Sequence, residues 1–205
     1  MNKISKLQYI SQGNTWDEQA NNIITALNNG VKWVQLRWKN ASKEEIFDLA
    51  RLVKVWCMSH KAKLIINDHV DIAKSVNADG VHLGLADMKV VEAKQILGEG
   101  KIYGGTANTL EDIYLRMEEG CDYVGLGPFR FTSTKEKLSP ILDLAGYQQI
   151  LDHLHKLKSF PPIIAIGGIS LEDIAALQHV GVYGVALSKY ITENPLEVSK
   201  IEALL

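Results

Sequence analysis

The chain has 205 residues, 46% of them hydrophobic and 22% charged, with a formal net charge of −2. These figures suit a soluble globular chain with a sizeable core, expected as one domain over residues 1–205. They argue against nucleic acid or an anionic membrane as partner. The opening MNKISKLQYI turns polar too early for a signal-peptide core, and no apolar run reaches membrane-spanning length. Cys57 and Cys121 lack metal-ligand spacing, so a reduced, cytoplasmic chain is expected.

Along the chain, eight apolar runs of strand length appear, at 7–11, 31–38, 63–67, 80–84, 101–107, 122–127, 162–167 and 183–188. Helical periodicity fills the intervals. In 44–58, Ile46, Leu49, Ala50, Val53 and Cys57 share one face. Thr109 and Ser170 each precede acidic residues, the signature of a helix start. Eight alternations with no break in composition predict a parallel sheet with helical crossovers, and the count fits a single (β/α)₈ TIM barrel. An open doubly wound sheet is the alternative, but G-x-G-x-x-G is missing after the first strand.

In a barrel the chemistry gathers at the carboxyl ends of the strands. In the second strand, alternation sets Val34, Leu36 and Trp38 on one face and Gln35, Arg37 and Lys39 on the other. The apolar face is expected under the helices and the polar face in the barrel mouth. Inward cations need compensation, from a bound anion or from an internal carboxylate facing Arg37. The third strand ends at Asn67-Asp68, and Asp87 follows the fourth. Two carboxylates on adjacent strand ends suit Mg²⁺, which takes few protein ligands. The other reading is a turn at Asp68 and a helix N-cap at Asp87. Thr106, after Gly104-Gly105, can offer a hydroxyl to a ligand, whereas Thr109 reads as a cap.

The sixth strand runs into Gly127-Pro128, then Thr132, Ser133, Thr134, Lys135 and Lys137, a loop suited to close over a phosphate ester and a pyrophosphate. Gly167-Gly168 and Leu187-Ser188 end the last two strands, where backbone N–H groups commonly hold phosphate in this fold. His82 reads as structural. No Walker loop or hydrolase nucleophile elbow is present.

Taken in order, Gln35-Leu36-Arg37-x-Lys39, Asn67-Asp68, Asp87, Gly127-Pro128, Thr132-x-Thr134-Lys135 and Gly167-Gly168-Ile169 resemble the thiamine-phosphate synthase family. The resemblance covers nearly the whole chain. It implies a transferase that joins hydroxymethylpyrimidine pyrophosphate to hydroxyethylthiazole phosphate, giving thiamine phosphate and pyrophosphate, with Mg²⁺ as cofactor. It further implies that Gln35, Leu36, Arg37, Trp38, Lys39 and Asn67 hold the pyrimidine substrate, with Thr106 and Lys135 on its pyrophosphate. Asp68 and Asp87 become metal ligands. Thr132, Ser133, Thr134 and Gly168, with the backbone near Leu187 and Ser188, hold the thiazole phosphate, and Arg37, Lys39 and Lys135 act catalytically. The partners implied are small molecules and a second copy of the chain in a homodimer. Several positions depart from the family pattern. Leu85 stands for a Gln, Thr106 for a Ser, Asn108 for a His, and Phe129-Arg130-Phe131 for an apolar-Tyr-Pro run; the strand-8 serine also comes one place early. The alternatives are a thiazole tautomerase-like isomerase on the same barrel and a non-catalytic phosphate-ligand-binding protein.

Overall fold

The computed structural model describes residues 4–131 and 140–205. Its strands are β1 (Leu7–Ile10), β2 (Trp33–Leu36), β3 (Lys63–Asn67), β4 (Gly80–Leu83), β5 (Ile102–Ala107), β6 (Tyr123–Leu126), β7 (Ile163–Ile166) and β8 (Gly184–Leu187). Each pairs in parallel with its sequence neighbours, and β8 returns to β1, closing the barrel. The helices between them are α1 (Trp16–Asn28), α2 (Lys43–Ser59), α3 (Val70–Ser75), α4 (Val90–Leu97), α5 (Leu110–Glu118), α6 (Asp143–Leu154) and α7 (Ile174–His179), with α8 (Lys189–Glu193) and α9 (Val198–Leu204) after β8. The predicted barrel is therefore the observed one.

Local chemistry accounts for the helix boundaries. Ser42 and Thr109 close capping boxes with Glu45 and Asp112, so two orphan backbone N–H groups are satisfied at each start. The buried face of α2 is Ile46, Leu49, Ala50, Val53 and Cys57, the stripe read from the sequence. Ser170 also builds a capping box, but a short 3₁₀ turn, Leu171–Asp173, intervenes before α7.

Strand alternation sorts the apolar residues into two cores. The outer core, between barrel and helices, takes Leu7, Val34, Leu36, Leu64, Val81, Val124 and Val185. A smaller inner core of Trp33, Ile65, Ile102, Tyr123, Ile164 and Ala186 fills the lower barrel. Above it the lumen turns polar, with buried Gln8, Gln35, His82 and Thr106. This change from an apolar floor to a polar mouth locates the site.

Two glycines make room for large side chains at β5. A Cβ on Gly105 would stand 2.5 Å from Arg116 Cδ. Arg116 is buried there in an ion pair with Glu119 at 2.6 Å and donates to the carbonyls of Thr106 and Leu83, which ties together the ends of β4 and β5. On the inner side, a Cβ on Gly104 would lie 2.2–2.4 Å from the Tyr123 ring and hydroxyl. We expect Gly104→Ala to cost about 1–3 kcal/mol through overpacking, read as a lower denaturant midpoint. An unchanged midpoint would mean that the ring yields freely.

Candidate active site

A cavity of about 350 Å³ opens at the carboxyl ends of the strands. Gln35 and Arg37 line it from β2 and just beyond, the face that alternation set in the barrel mouth, with Asn67 from β3 and Thr106 from β5. Gly168, Leu187 and Ser188 line the opposite side, together with Lys189. Leu36 and Trp38 lie on the helix-facing side, as the alternation in this strand predicted. Both are buried in the outer core, because their half of the alternation faces the helices, so only their backbone is available to a substrate. Lys39 is exposed and lies outside the cavity lining, although its charge still reaches Asp68.

Asp68 and Asp87 do converge. Asp68 ends the β3 segment with φ +62°, and its N–H donates to the His82 carbonyl at 3.0 Å. Its carboxyl lies within hydrogen-bonding reach of Asp87. Burial, and then the hydrogen bond and negative charge of Asp87, push Asp68 up to about 7, while Lys39 and Arg37 oppose the rise. Arg37 feels the converse: burial lowers its pKa and the Asp68 charge raises it again. Asp87 is not a helix cap. Lys89 occupies the N-cap of α4, and Asp87 instead accepts from Gly84 N–H at 2.6 Å. Among the described residues, no group of three or more His, Cys, Asp or Glu side chains could hold a metal.

The loop after β6 is fixed at both feet. The chain leaves β6 through a cis Gly127–Pro128 bond. Phe129 and Arg130 donate their N–H groups to the Ile166 and Gly167 carbonyls, each at 2.9 Å. Leu142 and Asp143 donate to the Pro128 and Phe129 carbonyls at 3.0 and 3.1 Å. Gly167 (φ +92°) and Gly168 (φ +70°) are needed twice over. Their backbone angles disfavour side chains, and a Cβ on either would come within 2.9 Å of Pro128 or Arg130. Arg130 departs from the family pattern, and its guanidinium is paired with Asp173, which Ser170 also holds. Thr132, Ser133, Thr134, Lys135 and Lys137 lie outside the described residues.

Sequence reasoning missed Gln8 and underrated His82. Gln8 lines the cavity and is buried; the available signal was a polar residue between Leu7 and Tyr9 on the inward half of the first strand. His82 lines the cavity too, with both ring nitrogens hydrogen-bonded, to Tyr123 and Thr106. Asn108, another departure, is buried and bonds the Gly127 carbonyl.

A thiamine monophosphate synthase family model matches residues 8–191. The chain belongs to that family. A thiamine-phosphate synthase of Flavobacterium johnsoniae is 55% identical over 190 residues, 93% of this chain and 90% of the relative. One from Bacteroides fragilis is 49% identical over 180 residues, 88% of each. Among solved structures, the thiamine phosphate pyrophosphorylase of Pyrococcus furiosus superposes with a TM-score of 0.82 at 28% identity, covering 98% of this chain and 96% of that one. The family resemblance read from the ordered strand-end residues is thus the relationship found over the whole chain.

The carboxylate pair has a measurable signature in protein stripped of metal. A carboxyl raised to about 7 keeps a proton that the unfolded chain, at 3.8, has released. Between about pH 4 and 7 the folded state then binds more protons, so this pair's contribution to stability falls as pH rises. Asp87→Asn removes the neighbouring charge and should flatten that fall. Melting temperatures in chelator across the window check it, and parallel wild-type and variant curves would refute the pairing.

Proposed function

We infer that this chain is a thiamine-phosphate synthase. It is a transferase that moves the pyrimidinylmethyl group of hydroxymethylpyrimidine pyrophosphate onto the ring nitrogen of hydroxyethylthiazole phosphate. The observation that carries the reading is the joint placement of the Asp68–Asp87 pair, Arg37 and the Gly167-Gly168 turn around one barrel mouth, in a chain of this family. The thiazole tautomerase-like alternative is not favoured, since the relatives found over the whole chain are synthases.

In the reaction, the bond between the pyrimidine methylene carbon and the diphosphate oxygen breaks, and both electrons leave with pyrophosphate. The thiazole nitrogen supplies the pair for the new C–N bond. No proton transfer or protein nucleophile is required. This chain's part is to hold the two substrates in line and to offset charge on the leaving group. Arg37 and Lys39 are suited to that second task from β2, and Lys135 from the loop. Gln35 and Asn67 face the pyrimidine. Gly168 and the backbone at Leu187 and Ser188 form a cradle for the thiazole phosphate, completed in this reading by Thr132, Ser133 and Thr134.

Mg²⁺ is the cofactor we assign. The donor set supports it: two carboxylates beside the cavity, too few to fill a metal's coordination shell, which leaves positions for phosphate oxygens and water. Asp68 and Asp87 would hold the ion, and when bound it would offset negative charge on the diphosphate. The reading further places the enzyme in the cytoplasm, supported by two free, buried cysteines, and as a homodimer on the family resemblance. No helix among the described residues is long and apolar enough to cross a membrane.

Pyrophosphate release, assayed with both substrates present, should stop on chelation and return with Mg²⁺. Turnover that continues in chelator, or with thiazole phosphate alone, would overturn the assignment. Lys135→Ala should lower kcat by roughly 10²–10³, the scale of one preorganised charge-stabilising donor; an unchanged kcat would remove Lys135 from the mechanism.

A further inference from the structure

The polar layer in the lumen is a chain of hydrogen bonds with a direction. Gln35 Nε2 donates to Gln8 Oε1 at 3.2 Å. Gln8 Nε2 donates to the Tyr123 hydroxyl oxygen at 3.3 Å. Tyr123 also meets His82 Nδ1 at 3.0 Å, and His82 Nε2 meets Thr106 Oγ1 at 2.9 Å. The amides settle the polarity of the first two links. Because the Tyr123 oxygen accepts from Gln8, its own proton is available for His82 Nδ1. An Nδ1 that accepts leaves the neutral ring's proton on Nε2, where it points at Thr106. Thr106 Oγ1 then accepts from the ring, and its hydroxyl proton is turned to the cavity that it lines. At the other end, the Gln35 amide nitrogen donates to Gln8 and also meets Tyr123, so its carbonyl oxygen is the group left for a ligand.

We propose that Gln8, Tyr123 and His82 are positioning residues that fix the polarity of the pyrimidine subsite, holding His82 as the Nε2–H tautomer so that Thr106 presents a donor and Gln35 presents an acceptor. The inference rests on the synthase reading for its substrate and on geometry alone for its tautomer. An aminopyrimidine diphosphate suits such a pair. Its exocyclic amino group donates, and its phosphate oxygens and ring nitrogens accept. A reversed relay, with Nδ1–H, would turn Thr106 into an acceptor and repel the anionic oxygen. Burial gives the arrangement its strength. Tyr123 is fully buried, and Gln8, Gln35, His82 and Thr106 are all buried, so a reversed link would leave a desolvated polar group without its partner.

The tautomer is read directly from long-range ¹H–¹⁵N correlations of the imidazole in protein labelled with ¹⁵N-histidine. The His82 resonance is assigned by its loss in His82→Gln. The expected pattern is Nε2–H in the wild-type protein; an Nδ1–H pattern overturns the proposal, whether or not the protein makes thiamine phosphate. Conversely, an inactive protein with the Nε2–H pattern would sink the synthase reading and leave the relay standing. For function, Tyr123→Phe removes the proton given to Nδ1. It should shift His82 away from Nε2–H and raise KM for the pyrimidine pyrophosphate about tenfold, the scale of one hydrogen bond to a charged group. KM for the thiazole phosphate should move less than about twofold by the same scale. Thr106→Ser keeps the hydroxyl and should be near wild type. Thr106→Val should match Tyr123→Phe, and the double variant should be no worse than Thr106→Val alone. Additive losses, or equal rises in both KM values, would reduce these residues to packing.

Discussion

The architecture depends on burying one carboxylate beside a second. Asp68 and Asp87 stand within hydrogen-bonding reach at the barrel rim, and burial first, then the neighbouring Asp87, raises the Asp68 pKa to about 7. Two features make the arrangement tolerable. Barrel closure holds the ends of β3 and β4 side by side, with the Asp68 N–H bonded to the His82 carbonyl across the join. Arg37 and Lys39 supply opposite charge from the next strand over. Like charges held together by a rigid frame form a site that a divalent ion can relieve. The strain in the metal-free state is thus the source of the affinity we ascribe to the pair.

Around that pair the anion recognition we propose is divided. One side relies on charge, with Arg37 at the cavity and Lys39 at the rim. The other side relies on geometry: Gly167 and Gly168 bring backbone close to the cavity while interlocking with Pro128 and Arg130. Arg130, a departure from the family pattern, is turned aside to Asp173 and helps hold the turn after β7.

Much of the fold was legible in the sequence because barrel strands and amphipathic helices have different periods. The face assignment in 34–39 held for Val34 to Trp38, since each alternate side chain must choose between the helices and the lumen, and it failed at Lys39, which is exposed past the end of the strand. The two aspartates were legible as a pair because adjacent strand ends meet in a closed sheet. What escaped was the interior of the lumen. A glutamine in the first strand and a histidine in the fourth carry no motif, and their meaning lies in contacts across 27 and 41 positions of sequence. The capping role considered for Asp87 failed for a different reason: the helix begins later than local signals suggested, at Val90 after Lys89.

The hydrogen-bonded layer across the lumen has an evolutionary side. Most barrels plug their interior with interchangeable aliphatic residues, where one can drift to another at small cost. Here the layer under the cavity is a chain of amide, phenol, imidazole and hydroxyl, in which each member bonds the next. Losing the polar group at one position leaves its neighbour short of a partner, so the positions are coupled to each other. A lineage could trade away loop residues one at a time, but it would leave this chain most easily by coordinated changes.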